Sequence, residues 1–144
     1  MKKLNWNEFR RGVFLVNSLA IVYNPQNKRI LIGRRERDPL VKTLVWNFPG
    51  GRPGYSKNLE DYLKIEVKKK TNLDIKIKKL IFARIPEENG RFLLLYYLAE
   101  PLNVGKEKAG EKFVEIKWIK PTEARKFFTT SLHPEIANLL KKLK

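Results

Sequence analysis

The chain has 144 residues, with no cysteine, one histidine and one methionine, and its 15 acidic residues are outnumbered by 31 lysines and arginines. The absence of cysteine excludes disulfides and thiolate metal sites, but does not decide the compartment. With one histidine, His133, there is no His/Cys cluster for zinc and no setting for a Ser-His-Asp triad. His133 precedes Pro134 at an expected helix start, which suits a capping or exposed role. No apolar run reaches the roughly 18 residues of a membrane span. The opening MKKLNWNEFRRG lacks a hydrophobic signal-peptide core. A cytoplasmic location without a membrane partner is therefore the expectation.

What the chain does contain suits one folded domain over residues 1–144, with residues 1–12 as a short N-terminal segment. Its content is 42% hydrophobic and 11% aromatic, enough for a core. The net charge of +16 has two explanations. One is a polyanionic partner such as RNA, DNA or a nucleotide phosphate. The other is compositional, since lysine-rich surfaces also arise without any nucleic-acid role.

The periodicities predict an order of elements. Residues 13–23 and 28–33 read as a hairpin around the turn chemistry of Asn24-Pro25-Gln26-Asn27. Residues 43–48 read as a short strand. A helix follows over residues 58–71, with Leu59, Leu63 and Val67 on one face and Asn72 fit to end it in the left-handed conformation. Leu73, Ile75 and Ile77 alternate with Asp74, Lys76 and Lys78, as a half-buried strand requires. Residues 91–100 are almost wholly apolar and read as a buried central strand. In it Tyr96 and Tyr97 must point to opposite faces; core packing is their default, and one of them could stack a base. Residues 113–119 give a further strand, Pro121 starts a short helix, and a last helix runs from Pro134. Trp6 and Phe9 form an i, i+3 pair that could dock on the core. The expected architecture is α/β: a mixed sheet sandwiched between the central helix and the terminal ones, as a single α/β/α domain.

Residues 46–75 carry the chemistry. Pro49, Gly50, Gly51, Pro53 and Gly54 enforce a tight loop, and the helix after it places Glu66, Lys69 and Lys70 on one face. This stretch resembles the box of the Nudix superfamily, which has the form G-x5-E-x7-R-E-U-x-E-E-x-G-U with U apolar. Laid from Gly51 over residues 51–73, the sequence reads G-x5-K-x7-I-E-V-K-K-K-T-N-L. Gly51, Glu66, Val67 and Leu73 match. Gly33-Arg34-Arg35, Trp46, Phe48-Pro49-Gly50-Gly51 and Trp118 are also similar to the family's flanking features. Lys57, Ile65, Lys69 and Lys70 depart from it, standing where the family has Glu, Arg and two metal-binding glutamates.

The resemblance implies hydrolysis of nucleoside diphosphate derivatives with Mg2+, a hard cation held by carboxylates on the helix face. A protonated lysine has no acceptor and cannot ligate Mg2+. Three readings follow. In the first, Lys57, Lys69 and Lys70, with Arg34, Arg35, Arg52 and the Gly50–Gly51 backbone, hold a nucleotide or RNA phosphate directly, and hydrolysis is weak or absent. In the second, Glu66 keeps a Mg2+ ion with help from Glu111 or Glu115, and the protein is an active hydrolase; both glutamates are equally readable as surface carboxylates. In the third, Glu66 and Lys70 are an ordinary surface i, i+4 pair on a vestigial domain. A homodimer through a sheet edge or the N-terminal segment is compatible with all three.

Overall fold

The computed structural model describes residues 12–36, 41 and 45–143. The expectation for Trp6 and Phe9, and the start of the short strand before Trp46, lie outside the described residues. The strands are β1 (Leu15–Asn24), β2 (Arg29–Arg34), β3 (Trp46–Asn47), β4 (Gly50–Gly51), β5 (Ile75–Arg84), β6 (Phe92–Pro101) and β7 (Glu115–Ile119). The helices are α1 (Leu59–Thr71), α2 (Ala124–Phe127), entered through a 3-10 turn at Pro121–Glu123, and α3 (Pro134–Lys142). They build the mixed sheet expected from the sequence. Its main path runs β3-β2-β1-β6-β5, with β4 paired to β1 and β7 to β2. The β1–β6 pair is parallel, and the others are antiparallel.

Each face of the sheet carries its own core. Leu63 and Val67 of α1 bury against Ala20, Val22, Tyr97 and Ala99 on one face. Ile136 and Leu140 of α3 bury against Ile21, Ile30, Ile32 and Tyr96 on the other. Full burial of each aliphatic side chain contributes about 1.5–3 kcal/mol. Tyr96 and Tyr97 thus serve opposite faces, as alternation demands, and both are buried.

The Asn58 side chain caps α1 by accepting from the Asp61 N–H at 2.8 Å. Asn72 closes the other end with φ 61°, its N–H donating to the Lys68 carbonyl. The buried stripe is not the one expected at its start: Leu59 is 41% exposed, and the buried positions are Leu63, Val67 and Thr71. Thr71 can be buried because its hydroxyl donates to the Val67 carbonyl at 2.7 Å. His133 caps α3 through Nδ1, which accepts from the Glu135 N–H at 3.1 Å. No helix among the described residues is long and apolar enough to cross a membrane.

Candidate functional site

Gly50 and Gly51 do not belong to the tight loop expected over Pro49–Gly54. They form β4, paired with Leu19 and Ser18 of β1. The C-terminal half of α1 packs beside β4, so that Glu66 lies against Gly51 and Lys70 against the buried Gly50. A Cβ on Gly51 would stand 2.7 Å from the Glu66 Oε2 atom, so this glycine is what lets the carboxylate lie against the strand.

Lys70 defines the site. Its ammonium donates to the Gly50 carbonyl and lies 3.6 Å from Glu66 Oε2. Lys69 Nζ approaches the other oxygen, Oε1, at 3.8 Å. The Lys70 and Glu66 side chains are only 12% and 19% exposed, so they are not the ordinary surface pair that their spacing allows. Burial holds the Lys70 pKa below that of a free lysine; Glu66 and Glu111 oppose the shift, and the Arg35 charge adds to it.

Glu111 reaches this place because the loop before β7 closes the end of α1. Lys108 and Gly110 donate backbone N–H groups to the carbonyls of Thr71 and Lys70, each at 2.9 Å. These carbonyls have no partner within the helix. A Cβ on Gly110 would sit 2.4 Å from the Lys69 carbonyl oxygen, so the approach needs glycine.

The other expected residues separate. Glu115 accepts from Arg34 Nε at 3.0 Å across the β2–β7 ladder, and each largely neutralises the other. Lys57 precedes the α1 cap, about 20 Å along the axis from Lys70 by helical rise. It lies over the Tyr62 ring, 5.9 Å from the centroid. Arg52 is exposed just after β4. Glu66, Lys69, Lys70, Arg35 and Glu111 therefore form the cluster, with one positive charge in excess.

A Mg2+ ion needs near-octahedral oxygen ligands, usually from one or two carboxylates with several waters. The donors that could serve it, the Gly50 carbonyl and the Glu66 carboxylate, both already face the Lys70 ammonium. Among the described residues, no group of three or more His, Cys, Asp or Glu side chains converges in a way that could hold a metal. As arranged, this donor set does not fit Mg2+.

The sequence matches the NUDIX domain family over residues 13–143. The chain belongs to the Nudix family. Its fold is similar to that of a NUDIX hydrolase from Nitrosomonas europaea, with TM-score 0.72 at 15% identity over 88% of this chain and 70% of that one. It is also similar to a MutT protein from Methanosarcina mazei Go1, with TM-score 0.71 at 15% identity over 90% and 94% of the two chains. An ADP-ribose pyrophosphatase from Streptococcus suis gives TM-score 0.65 at 18% identity over 88% and 89%. At such identities the likeness establishes the fold. None of the curated proteins matches the sequence at a significant level.

On the sheet face opposite α1, this Nudix domain has a cleft open to solvent. Phe48, Tyr96 and Phe128 line it, and Arg35 joins it to the Lys70 cluster. One end is closed by a bracket of polar groups. Ser131 donates through N–H and Oγ to the two oxygens of Glu88, at 2.6 and 2.8 Å. Arg84 donates to the Tyr96 hydroxyl, the Ser131 hydroxyl and the Ser131 carbonyl, at 3.1, 3.1 and 2.9 Å. Neither Arg84, Glu88 nor Ser131 was expected from the sequence. The signal available there is Arg84 among Phe82, Ala83 and Ile85, a cation that needs a partner in an apolar stretch.

Burial alone would raise the Glu88 pKa, but the two Ser131 hydrogen bonds, with the nearby Arg84 charge, hold it below the ordinary carboxylate value. A depressed carboxylate stabilises the fold above its unfolded pKa of about 4.3, and that contribution disappears as pH falls through the folded value. The wild type should therefore exceed Glu88→Gln in thermal stability at neutral pH, with the gap closing in acid. Melting curves from about pH 7 down to about pH 3 check this; a gap constant over that range would contradict it.

Proposed function

We propose that this Nudix domain recognises a nucleotide or RNA phosphate or diphosphate through fixed cationic side chains at the Gly50–Lys70 site, with hydrolysis weak or absent. The observation that carries the reading is the seat of Lys70. Its ammonium holds the Gly50 carbonyl and the Glu66 carboxylate, the donors that a metal would otherwise use. A lysine supplies charge for phosphate but activates no water, so binding is retained while the metal's part in hydrolysis is lost. Lys69, with its side chain 51% exposed, and the exposed Arg52 are available to meet the anion, with Arg35 on the cleft side.

The expected result is nucleoside diphosphate binding that is unchanged by EDTA. An oligoribonucleotide engaging about three cations should lose roughly tenfold or more in affinity between about 50 and 200 mM salt. Titration calorimetry and fluorescence anisotropy measure the two. Binding that vanishes on chelation would sink the reading.

A second reading, an active Mg2+-dependent hydrolase, draws on the two carboxylates around Lys70, Glu66 and Glu111. It requires Lys70 to leave its seat. It predicts turnover of nucleoside diphosphate derivatives that Glu66→Gln abolishes; absence of turnover across a substrate panel in saturating Mg2+ or Mn2+ counts against it.

A further inference from the structure

The loop between β4 and α1 carries two cations and one open aromatic ring. Tyr55 is fully exposed, more so than any other large apolar or aromatic side chain among the described residues. The residues beside it are nevertheless tied down. The Ser56 N–H donates to the Tyr62 hydroxyl at 3.2 Å, and the Ser56 and Tyr62 hydroxyls share a hydrogen bond at 2.8 Å. Gly54 runs so close that an added Cβ would stand 2.6 Å from the same hydroxyl oxygen. The Lys57 ammonium lies over the Tyr62 ring. Tyr62 is fixed in turn by α1, where its N–H donates to the Asn58 carbonyl. The loop therefore presents Tyr55 from a clamped base, between Arg52 and Lys57, both exposed. Arg52 is three residues away, so its Cα lies within about 11 Å of that of Tyr55. The acids of the first helical turn do not cancel this charge. Burial and then the Glu60 charge push the Tyr97 phenol up, so Glu60 acts toward β6, whereas Lys57 is the charge that acts on Tyr62.

We propose that the partner is a single strand of nucleic acid, one base of which stacks on Tyr55 while its phosphates run from Lys69 and Arg52 to Lys57. An aromatic face between cations holds an unpaired base by its π-face and the adjoining backbone by charge. A duplex keeps its bases stacked inside and offers no such face to Tyr55. A free nucleotide held at Lys70 does not extend to Lys57, about 20 Å away along the helix axis. The assignment deepens the phosphate-binding reading and rests on it for the anchor at Lys69 and Arg52. It also gives Lys57, remote from the Lys70 cluster, a part in recognition.

Fluorescence anisotropy in EDTA tests it, with an oligouridylate of about ten nucleotides and an abasic oligomer of equal length and charge. Tyr55→Ala should weaken oligouridylate binding about tenfold, the step for one lost stacked base, and leave the abasic oligomer unaffected. Tyr55→Phe keeps the ring and should bind as the parent does. Lys57→Gln should reduce the slope of log affinity against log salt by about 0.7, the share of one phosphate contact. UDP, titrated by calorimetry, should bind the parent and Tyr55→Ala equally. An alanine penalty equal on the two oligomers, or absent from both, would overturn the assignment. So would a salt slope unchanged in Lys57→Gln, or a loss of UDP affinity in Tyr55→Ala as large as that for the oligouridylate. If UDP does not bind while the base-dependent loss on the oligouridylate persists, the phosphate reading fails and the strand assignment stands. If neither ligand binds, both fail.

Discussion

A Lys69→Glu/Lys70→Glu chain should unfold well below the parent in EDTA and recover in Mg2+. Lys70 is 12% exposed and lies between a carbonyl and a carboxylate. Removing the cation leaves Glu66 without its partners, and the new carboxylates repel it and Glu111. Breaking a largely buried pair costs about 3–5 kcal/mol. For a chain of this size, that lowers the melting temperature by about 10 °C or more. The same exchange turns the cluster into an acidic set around the Gly50 carbonyl, which suits a hard divalent ion. Mg2+ at about 100 times its dissociation constant would return about 2.7 kcal/mol. Lys70→Met should lose stability without any Mg2+ response, which separates loss of the cation from gain of a metal site. Differential scanning fluorimetry with and without Mg2+ reads all three proteins. No recovery in the double variant would mean that the surroundings of Glu66 have also departed from a metal site. A parent stabilised by Mg2+ would favour the hydrolase reading.

Much of this arrangement is legible from the sequence because it depends on short-range rules. The i, i+3, i+4 spacing places Glu66, Lys69 and Lys70 on one face whatever the fold does. Asn58 and Asn72 bound the helix through their own side-chain and backbone chemistry. Opposite-facing Tyr96 and Tyr97 follow from strand alternation. What escapes is set by pairing register. Nothing local says that Arg34 will oppose Glu115, 81 residues later, and neutralise it. The Arg84–Ser131 contact spans 47 residues and depends on how the segment before α3 folds back over the sheet. Burial escapes too. An i, i+4 Glu–Lys pair reads as a solvated pair, and only the packing of α1 on β4 encloses it. Lys57 fails for the opposite reason: it belongs to the same motif, but the helix carries it to the far end.

Gly50→Ala should destabilise the fold more than a single added methyl ordinarily does. A Cβ there would stand 2.0 Å from the Ser18 carbonyl oxygen and 2.9 Å from the Leu19 Cα, both backbone atoms of β1. β1 has no room to move, since it is paired along its length to β6, from Leu15↔Phe92 to Val22↔Ala99. Overpacking in such a place costs about 3 kcal/mol or more, so β4 must instead leave β1. That displacement carries away the carbonyl that Lys70 holds, so phosphate affinity should fall together with stability. Gly51→Ala separates the two effects. The three atoms nearest its Cβ all belong to the Glu66 side chain, which can swing away at the expense of its pairs with Lys69 and Lys70. Binding should suffer there more than folding. Gly90→Ala is the control, because nothing lies within 4 Å of its added Cβ, and its effect should stay within about 0.5 kcal/mol. Urea melts and diphosphate titrations of the three variants measure both quantities. A Gly50→Ala protein as stable as the parent would show that β4 does not need its close seat on β1. The carbonyl–ammonium contact would then not depend on glycine at this position.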